Sequence, residues 1–317
     1  MPSYLVTGGA GFIGSHLVEE LARRGHRGRV ADSLVTGKRR NLSHIPDVEF
    51  LEGDLADLAF ASRAVEGVDY VLHQAAIPSV PRSVADPAAS HRANVDASLN
   101  VLLASRAAGV RRVVYAGSSS VYGDAVELPK HEEMPAQLLS PYGLQKYVVE
   151  LYCRMFTRLY GLETVTIRYF NVFGPRQDPG SPYSGVISLF ATALLDRRAP
   201  TIYGDGQQTR DFTYVTNVVD GVLRACEAPG AVGEVINVAT GGRISLNDLL
   251  DVMNGIVGEH LRPIYKEPRA GDVEHSQADI SKAQRLLGYT PRVLLDEGLR
   301  YTLDWCRSEA AAPTPGR

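Results

Sequence analysis

The sequence predicts an α/β fold: a doubly wound parallel sheet joined to a smaller C-terminal domain. Three observations predict it. Strand-like and helix-like segments alternate through the first half of the chain, and such alternation builds right-handed βαβ units with helices on both sheet faces. A glycine-rich turn, "GGAGFIG", joins the first strand to the first helix. After Phe170 the texture changes to loops rich in Gly, Pro and Gln, "GPRQDPGSPYSG" and "GDGQQTRD". The larger domain is read as residues 1–170, re-entered around 205–240, and the smaller one as mainly 171–317. The cleft between two such domains is the default ligand site.

Residues 4–7 are a short apolar strand. Residues 15–24 repeat apolar side chains at helical spacing and stop at Gly25. Residues 29–31 form a poor strand ending at Asp32, weakened by Gly28 where an apolar residue is expected. Residues 48–51 are a further strand, 70–73 are strongly β, and 94–108 strongly helical. Residues 112–116 return to β, 141–160 make a long helix, and 164–168 another strand. Past 170, residues 186–195 are helical and shorter elements follow to Cys306. The tail "SEAAAPTPGR" is small and proline-rich and is expected to fray.

The 317 residues are 44% hydrophobic and 22% charged, proportions ordinary for a soluble globular enzyme. A net charge of −3 supplies no electrostatic footprint for nucleic acid or an anionic membrane. No apolar run approaches the roughly 20 residues that span a bilayer, and "SYLVTGGAG" reads as a strand entering a turn, not as a signal peptide. Three scattered cysteines, Cys153, Cys226 and Cys306, suit a reducing cytoplasm and argue against a disulfide framework or a metal site.

Gly8, Gly11 and Gly14 have G-x-x-G-x-x-G spacing. The first allows the tight turn, the second lets the backbone approach a pyrophosphate, and the third lets helix pack on sheet. The helix N-terminus, with free N–H groups and the positive end of its dipole, then faces phosphate. Asp32 follows 18 residues after Gly14 at a strand end. A carboxylate there accepts from ribose hydroxyls and repels a 2′-phosphate, so the pattern predicts NAD in a Rossmann-like domain. Lys38, Arg39 and Arg40 lie near enough to soften that preference, although a solvated helix start is their ordinary use. "GDL" at 53–55 puts Asp54 at another strand end, suited to the adenine or ribose edge. "HQAA" at 73–76 ends the next strand with small residues, as close cofactor contact requires, and His73 is read as a packed core histidine.

"SPYGLQK" places Tyr142 and Lys146 four residues apart, hence on one helix face. Ser140 caps that helix and Pro141 suits its first turn. A free tyrosine titrates near pH 10. An adjacent ammonium and a cationic nicotinamide both favour the phenolate, so Tyr142 is a candidate base near neutrality and Lys146 a candidate holder of the nicotinamide ribose. Ser118, Ser119 and Ser120 lie just past a strand end, where a hydroxyl can meet the oxygen that Tyr142 deprotonates; a turn serine can also merely satisfy backbone groups.

"TGGAGFIGSHL", "HQAA", "SSSVYG", "SPYGLQK", "RYFNVFGPRQDP" and "GDGQQTRDF" together resemble the extended short-chain dehydrogenase/reductase superfamily, and within it the NAD-dependent nucleotide-sugar 4-epimerases. The resemblance runs from about residue 4 to 305, with the motifs in family order. It implies 4-epimerisation of a UDP-hexose through a transient 4-keto sugar, with Tyr142 as base, Lys146 beside it and Ser118 as the catalytic hydroxyl. It implies a cofactor set of Gly8, Gly11, Phe12, Ile13, Gly14, Asp32, Ser33, Thr36, Gly37, Asp54, Leu55, Gln74, Ala75, Ala76 and Tyr169, with Tyr142 and Lys146. Ser79, Ser119, Ser120, Gly185, Val186 and Ser276 are implied on the sugar side, and Asn171 at sugar or phosphate. Arg210 and Arg269 are implied at the diphosphate, which two guanidiniums suit, Asp272 at the uridine ribose and Tyr203 by the uracil.

Dehydratases of the superfamily resemble "TDEVYG" and decarboxylases "TSEVYG", whereas Ser120 stands here at the acid's position. Protonating a leaving hydroxyl needs an acid, so both activities are disfavoured. Small residues at 185 and 276 leave room for an acetamido group, which favours UDP-N-acetylglucosamine and UDP-N-acetylgalactosamine, with UDP-glucose and UDP-galactose as further substrates. UDP-glucuronate is the alternative, with Arg82 or Arg176 meeting its carboxylate. Pro78 and Pro81 stiffen the loop beside the sugar. A homodimer through the helices at 94–108 and 141–160 is implied by the resemblance. A cofactor-exchanging oxidoreductase or a non-catalytic NAD-binding protein are the other classes, and the retained Tyr–Lys pair argues against the second.

Overall fold

The computed structural model describes residues 1–178, 185–268 and 273–311. Strands β1 (Ser3–Thr7), β2 (Arg27–Asp32), β3 (Glu49–Glu52), β4 (Tyr70–His73), β5 (Arg112–Ser118) and β6 (Glu163–Tyr169) come first. They are interleaved with helices α1 (Phe12–Arg23), α2 (Leu58–Val65), α3 (Val80–Ala85), α4 (Pro87–His91), α5 (Ala97–Ala107) and α6 (Pro141–Tyr160). Short strands follow: β7 (Val172–Phe173), β8 (Thr201–Tyr203), β9 (Thr209–Arg210), β10 (Thr213–Tyr214), β11 (Val235–Val238), β12 (Ile244–Ser245) and β13 (Ile264–Lys266). The later helices are α7 (Val186–Leu195), α8 (Val215–Glu227), α9 (Leu246–Val257), α10 (Ser281–Leu287) and α11 (Leu295–Ala311).

Seven strands form one parallel sheet in the order β11-β6-β5-β4-β1-β2-β3. Helices cover both faces, which is why β1, β4 and β5 read as near-continuous apolar runs. Alternation sorts the side chains: Tyr4, Val6, Leu72 and Val114 pack with α1 and α8 residues such as Leu17 and Val222. Leu5, Val71 and Val113 pack on the other face with Val101, Val149 and Phe156 from α5 and α6. The strand order reverses between β1 and β4, and ligands of such sheets bind in the crevice beyond the strands' C-terminal ends at that switch point. Gly8 and Gln74 begin the two loops that leave it.

Several boundaries differ from the sequence reading. α1 begins at Phe12, not residue 15, because the glycine turn closes directly into the helix, with Ser15 N–H donating to the Gly11 carbonyl at 3.1 Å. Gly28 does lie in β2: pairing with Tyr4 is by backbone, and a Cβ there would meet nothing within 4 Å. The helix expected at 94–108 opens with a π-turn, Arg92–Asp96, before α5. The chain returns to the sheet through α8 and β11, and α10 packs beside them, burying Ala283 and Leu287 in the same core as Val6. β9 and β12 pair outside that sheet. α7, α9 and α11 close a separate core around Phe173, Phe190, Leu249 and Leu303. α11 runs on through residues 308–311 of the expected frayed tail, and 312–317 lie outside the described residues. No helix among the described residues is long and apolar enough to cross a membrane.

Candidate active site

The glycine turn has the steric signature of a cradle. Gly8 adopts φ 65°, and a Cβ on it would stand 2.8 Å from the Ala75 backbone. A Cβ on Gly14 would lie 2.2 Å from the Gly8 carbonyl oxygen, so helix and turn touch only because no side chain intervenes. A Cβ on Gly11 would meet only that same oxygen, at 3.1 Å. The half-buried Phe12 and Ile13 form the first turn of α1 and reach the core around Phe173, Phe190 and Leu249.

Asp32 is 7% exposed. Its carboxylate accepts from the backbone N–H of Ala10 at 3.0 Å and of Leu34 at 2.8 Å. Burial nonetheless outweighs these bonds and raises its pKa. A Cβ on Gly37 would come within 2.7 Å of that carboxylate, so this loop closes over Asp32 only with glycine there. Ser33 and Thr36 are exposed on the same loop. Lys38 pairs with Asp178 at 2.8 Å, Arg39 with Glu52 at 3.2 Å and Arg40 with Glu309 at 3.5 Å, so all three cations have carboxylate partners. Asp54 is exposed and meets Arg92 at 3.0 Å, while Leu55 is buried behind it.

At the end of β4, Thr7 organises the neighbouring loop. Its hydroxyl oxygen accepts from Gln74 N–H at 3.1 Å and Ala75 N–H at 3.2 Å, and it donates to Nδ1 of His73 at 2.7 Å. His73 Nε2 donates to Ser98 Oγ at 2.8 Å, and Ser98 in turn donates to the Asn94 carbonyl. His73 is therefore a neutral, fully satisfied core histidine, and burial pushes it down to about 3. Gln74 accepts from the Tyr169 hydroxyl at 2.8 Å, but its buried amide nitrogen has no partner. Half-buried Ala75 and Ala76 follow. A cradle closed to side chains, a caged carboxylate and an orphaned amide donor on one sheet edge fit a dinucleotide.

Ser140 accepts from Gly143 N–H at 3.1 Å and caps α6, with Pro141 in its first turn. The Tyr142 backbone N–H is anchored on Ser83 Oγ at 3.0 Å. Ser118, at the end of β5, lies beside the Tyr142 phenol and favours its ionisation. Ser118 Oγ also accepts from Ser120 N–H at 3.1 Å and from the Ser120 hydroxyl at 2.8 Å, which ties Ser118, Ser119 and Ser120 into one turn. The Lys146 ammonium is 4% exposed and donates to the Ala116 carbonyl at 2.8 Å. It lies 5.9 Å from the centre of the Tyr142 ring and 5.0 Å from that of Tyr115.

The titration of this pair differs from the sequence expectation. Burial pushes the Tyr142 phenol up to about 12, opposed only by Ser118. Burial pushes Lys146 down to about 7. The ammonium is directed at a backbone carbonyl, so in the protein alone it does not favour the phenolate; desolvation wins.

After β6, Asn171 (φ 33°) donates to the Asp211 carbonyl at 3.1 Å. Arg210 donates to the carbonyls of Thr209 and Glu274 at 2.9 and 3.0 Å. Ser276 is 8% exposed, its N–H on the Thr209 carbonyl at 3.0 Å, which brings it beside Arg210. Tyr203 is half-buried in β8, Gly185 caps α7 and Val186 opens it. Ser79 is buried and spends its hydroxyl capping α3, accepting from Arg82 N–H at 3.2 Å, between Pro78 and Pro81. Arg269 and Asp272 lie outside the described residues. Arg176 is a correction: its guanidinium is taken by His16, Glu19 and Asn41, so it is not held ready for a sugar carboxylate. A cleft of about 940 Å³ does exist near it, between α1, α8 and α11, lined by His16, Glu19, Asp220 and Trp305 among others, and Tyr142 does not line it.

Sequence reasoning missed the residues that brace the site. Gln145 Oε1 accepts from Ser90 Oγ and Asn94 Nδ2, both at 2.8 Å, and Asn94 Oδ1 accepts from Ile77 N–H at 2.7 Å, fixing the 77–79 loop to α6. Asp211 accepts from Thr240, Gly241 and Ala278, joining the segments that carry Arg210 and Ser276. Arg168 and Glu150 form a buried two-bond ion pair, at 2.9 and 2.7 Å, between β6 and α6. The signal available was a polar residue inside an otherwise apolar run, as with Arg168 in "TVTIRYF".

Comparison with known proteins shows the family. The sequence pattern of the NAD dependent epimerase/dehydratase family matches residues 4–239. A putative UDP-glucose 4-epimerase of Methanocaldococcus jannaschii is 40% identical over 306 residues, covering 96% of this chain and 98% of that protein. The solved structure of a UDP-N-acetylglucosamine 4-epimerase from Methanobrevibacter ruminantium, in complex with UDP-N-acetylmuramic acid, superposes with a TM-score of 0.93 at 38% identity, covering 97% of this chain and 99% of that one. A UDP-glucose 4-epimerase of Thermotoga maritima with UDP-glucose gives the same TM-score, 0.93, identity, 38%, and coverages, 97% and 99%.

Proposed function

Because this chain belongs to the NAD-dependent epimerase/dehydratase family, we propose that it is a UDP-sugar 4-epimerase, inverting C4 of a UDP-hexose with Tyr142 as the proton-transfer group. The observation that carries the proposal is the convergence of Tyr142, Ser118 and Lys146 on the sheet edge that also bears the glycine turn. NAD, when bound, supplies the reversible hydride acceptor that makes C4 a transient ketone and restores it, with no net oxidation. Tyr142 takes the proton of the 4-hydroxyl as a phenolate, the form that a bound cationic nicotinamide would favour against burial, and then returns it. Ser118, whose oxygen accepts twice from Ser120, has its one hydroxyl proton to offer to the same sugar oxygen. Lys146 is the residue for the nicotinamide ribose, and Asp32 for the adenosine ribose. Arg210 and Arg269 are the candidates for the diphosphate, Asp272 for the uridine ribose and Tyr203 for the uracil.

Chemistry in the serine turn supports epimerisation over dehydration, since 118–120 carries no carboxyl to protonate a leaving group. The small Ser276 and Gly185 support N-acetylhexosamines as substrates beside the plain hexoses. Rejection of the smaller sugar by an enlarged pocket is weak, about 1–3 kcal/mol. The engagement of Arg176 with α1 removes one of the two cations considered for a glucuronate carboxylate.

We also infer a homodimer. Leu144, Leu151, Met155 and Leu159 are 39–60% exposed along one stripe of α6, with Leu103 of α5 also exposed. A second copy would cover such a face. The three cysteines are unpaired, which supports the cytoplasmic reading.

The test is purified protein with no added cofactor, assayed for bound NAD and for interconversion of UDP-glucose/UDP-galactose and their N-acetyl counterparts. Stoichiometric NADH with no epimer would instead mean an oxidoreductase. Bound NAD with no turnover on any UDP-hexose would mean a binding protein.

A further inference from the structure

Arg176 adopts φ 68°, the left-handed region that a non-glycine residue occupies only when its surroundings hold it. What holds it is α1. The guanidinium donates to Nδ1 of His16 at 2.7 Å, to the Glu19 carboxylate, and to the Asn41 carbonyl at 3.4 Å. A guanidinium can only donate, so His16 Nδ1 accepts, and the proton of the neutral ring sits on Nε2. That Nε2 donates to the Pro175 carbonyl at 3.0 Å. His16 therefore grips both Pro175 and Arg176. Burial, with the Arg176 charge, pushes His16 down to about 4, so the gripping tautomer persists at neutral pH. Glu19 is steadied in turn by His44 at 3.2 Å.

The next residue carries the connection onward. Gln177 donates to the Val172 carbonyl at 3.4 Å and accepts from Ser188 Oγ of α7 at 2.8 Å. Its amide nitrogen would lie 3.1 Å from a Cβ on Gly185. Contacts thus run without a gap from α1, which starts at the glycine turn, to the first turn of α7, where Gly185 and Val186 are candidates for the sugar wall.

We propose that Arg176, seated on His16 and Glu19, is a positioning residue that sets the first turn of α7, and so the sugar wall, against the cofactor-binding helix. Its substrate readout rests on the UDP-sugar reading; the latch itself does not.

Arg176→Met keeps bulk and removes every donor, and His16→Phe removes both ring nitrogens. Hydrogen exchange is measured on wild type and variants in peptides covering 172–178 and 185–190, with α6 peptides as control. Exchange in the first two is expected to quicken about tenfold or more with α6 unchanged, the scale of losing one charged hydrogen bond. Bound NAD is expected to stay at the wild-type level, and KM for the UDP-hexose to rise about tenfold with kcat changed less than about threefold. Arg176→Lys, which keeps the charge and one donor group, is expected to recover part of both effects, and it serves if the Met variant does not fold. Unchanged exchange in 172–178 overturns the latch. Faster exchange with unchanged KM, or a fall in kcat alone that follows the folded fraction, overturns the positioning role. A wild type inert on all UDP-hexoses overturns the epimerase reading instead, and exchange still decides the latch.

Discussion

Replacing Lys146 by methionine tests the electrostatics of the Tyr142 site. The ammonium is 4% exposed, and burial pushes it from 10.5 to about 7. A depressed lysine makes folding costly wherever the unfolded chain would hold the proton that the folded chain gives up. Between pH 7 and pH 10.5 the unfolded state binds more protons, so stability rises with pH, at up to about 1.4 kcal/mol per unit. Integrated from pH 7, where the folded group is half-titrated, to pH 9, the penalty shrinks by about 2 kcal/mol. Above 10.5 both states are neutral and it vanishes. The variant has no ammonium, so wild-type stability should gain about 2 kcal/mol on it over those two pH units. Losing the bond to the Ala116 carbonyl costs the variant about 1–3 kcal/mol, but equally at every pH. Urea unfolding of nucleotide-free protein at pH 7, 8 and 9 measures the difference, and other titrating groups largely cancel. Parallel pH profiles for the two proteins would refute a desolvated lysine at this position.

Other consequences follow from named contacts. Tyr142→Phe keeps the ring and the backbone bond to Ser83 but loses the proton-transfer group; kcat should fall about 10²- to 10⁴-fold with NAD still bound, and turnover within tenfold of wild type would reject the assigned base. Ser276→Tyr should harm the N-acetylated substrate more than UDP-glucose, read as the ratio of their kcat/KM values; an equal loss would mean that Ser276 does not line the sugar pocket. Met155→Asp on the exposed stripe of α6 should convert a dimer to a monomer in light scattering while each subunit keeps its fold, and an unchanged mass would move the interface elsewhere.

Much of the site was legible because its chemistry needs particular residues at particular spacings. Gly8 and Gly14 announce themselves because no side chain fits where their Cβ atoms would stand, and a Cβ on Gly11 would crowd the Gly8 carbonyl. Tyr142 and Lys146 share a face because a helix repeats every 3.6 residues. The start of α1 was misjudged by three residues, since a turn that continues into a helix carries no polar cap to mark it. Arg176 was read as a free cation because a sequence shows a charge but not its partner, here on a helix 157 positions away.

What the sequence by itself determined was the order of strands and helices, the glycine turn, and which candidate reacting groups share a helix face or a strand end. These depend on local spacing and on the intrinsic chemistry of a phenol, an ammonium and a hydroxyl. Only the tertiary structure decided how those groups are tuned. Burial sets Tyr142 near 12 and Lys146 near 7, the reverse of the simple ion-pair expectation. It also decided which polar residues brace rather than react: Gln145, Asp211, His16 and Arg176. The reason is physical. Desolvation and long-range hydrogen bonds depend on which distant segments close over a side chain, and that closure is a property of the assembled core, not of any one stretch of chain.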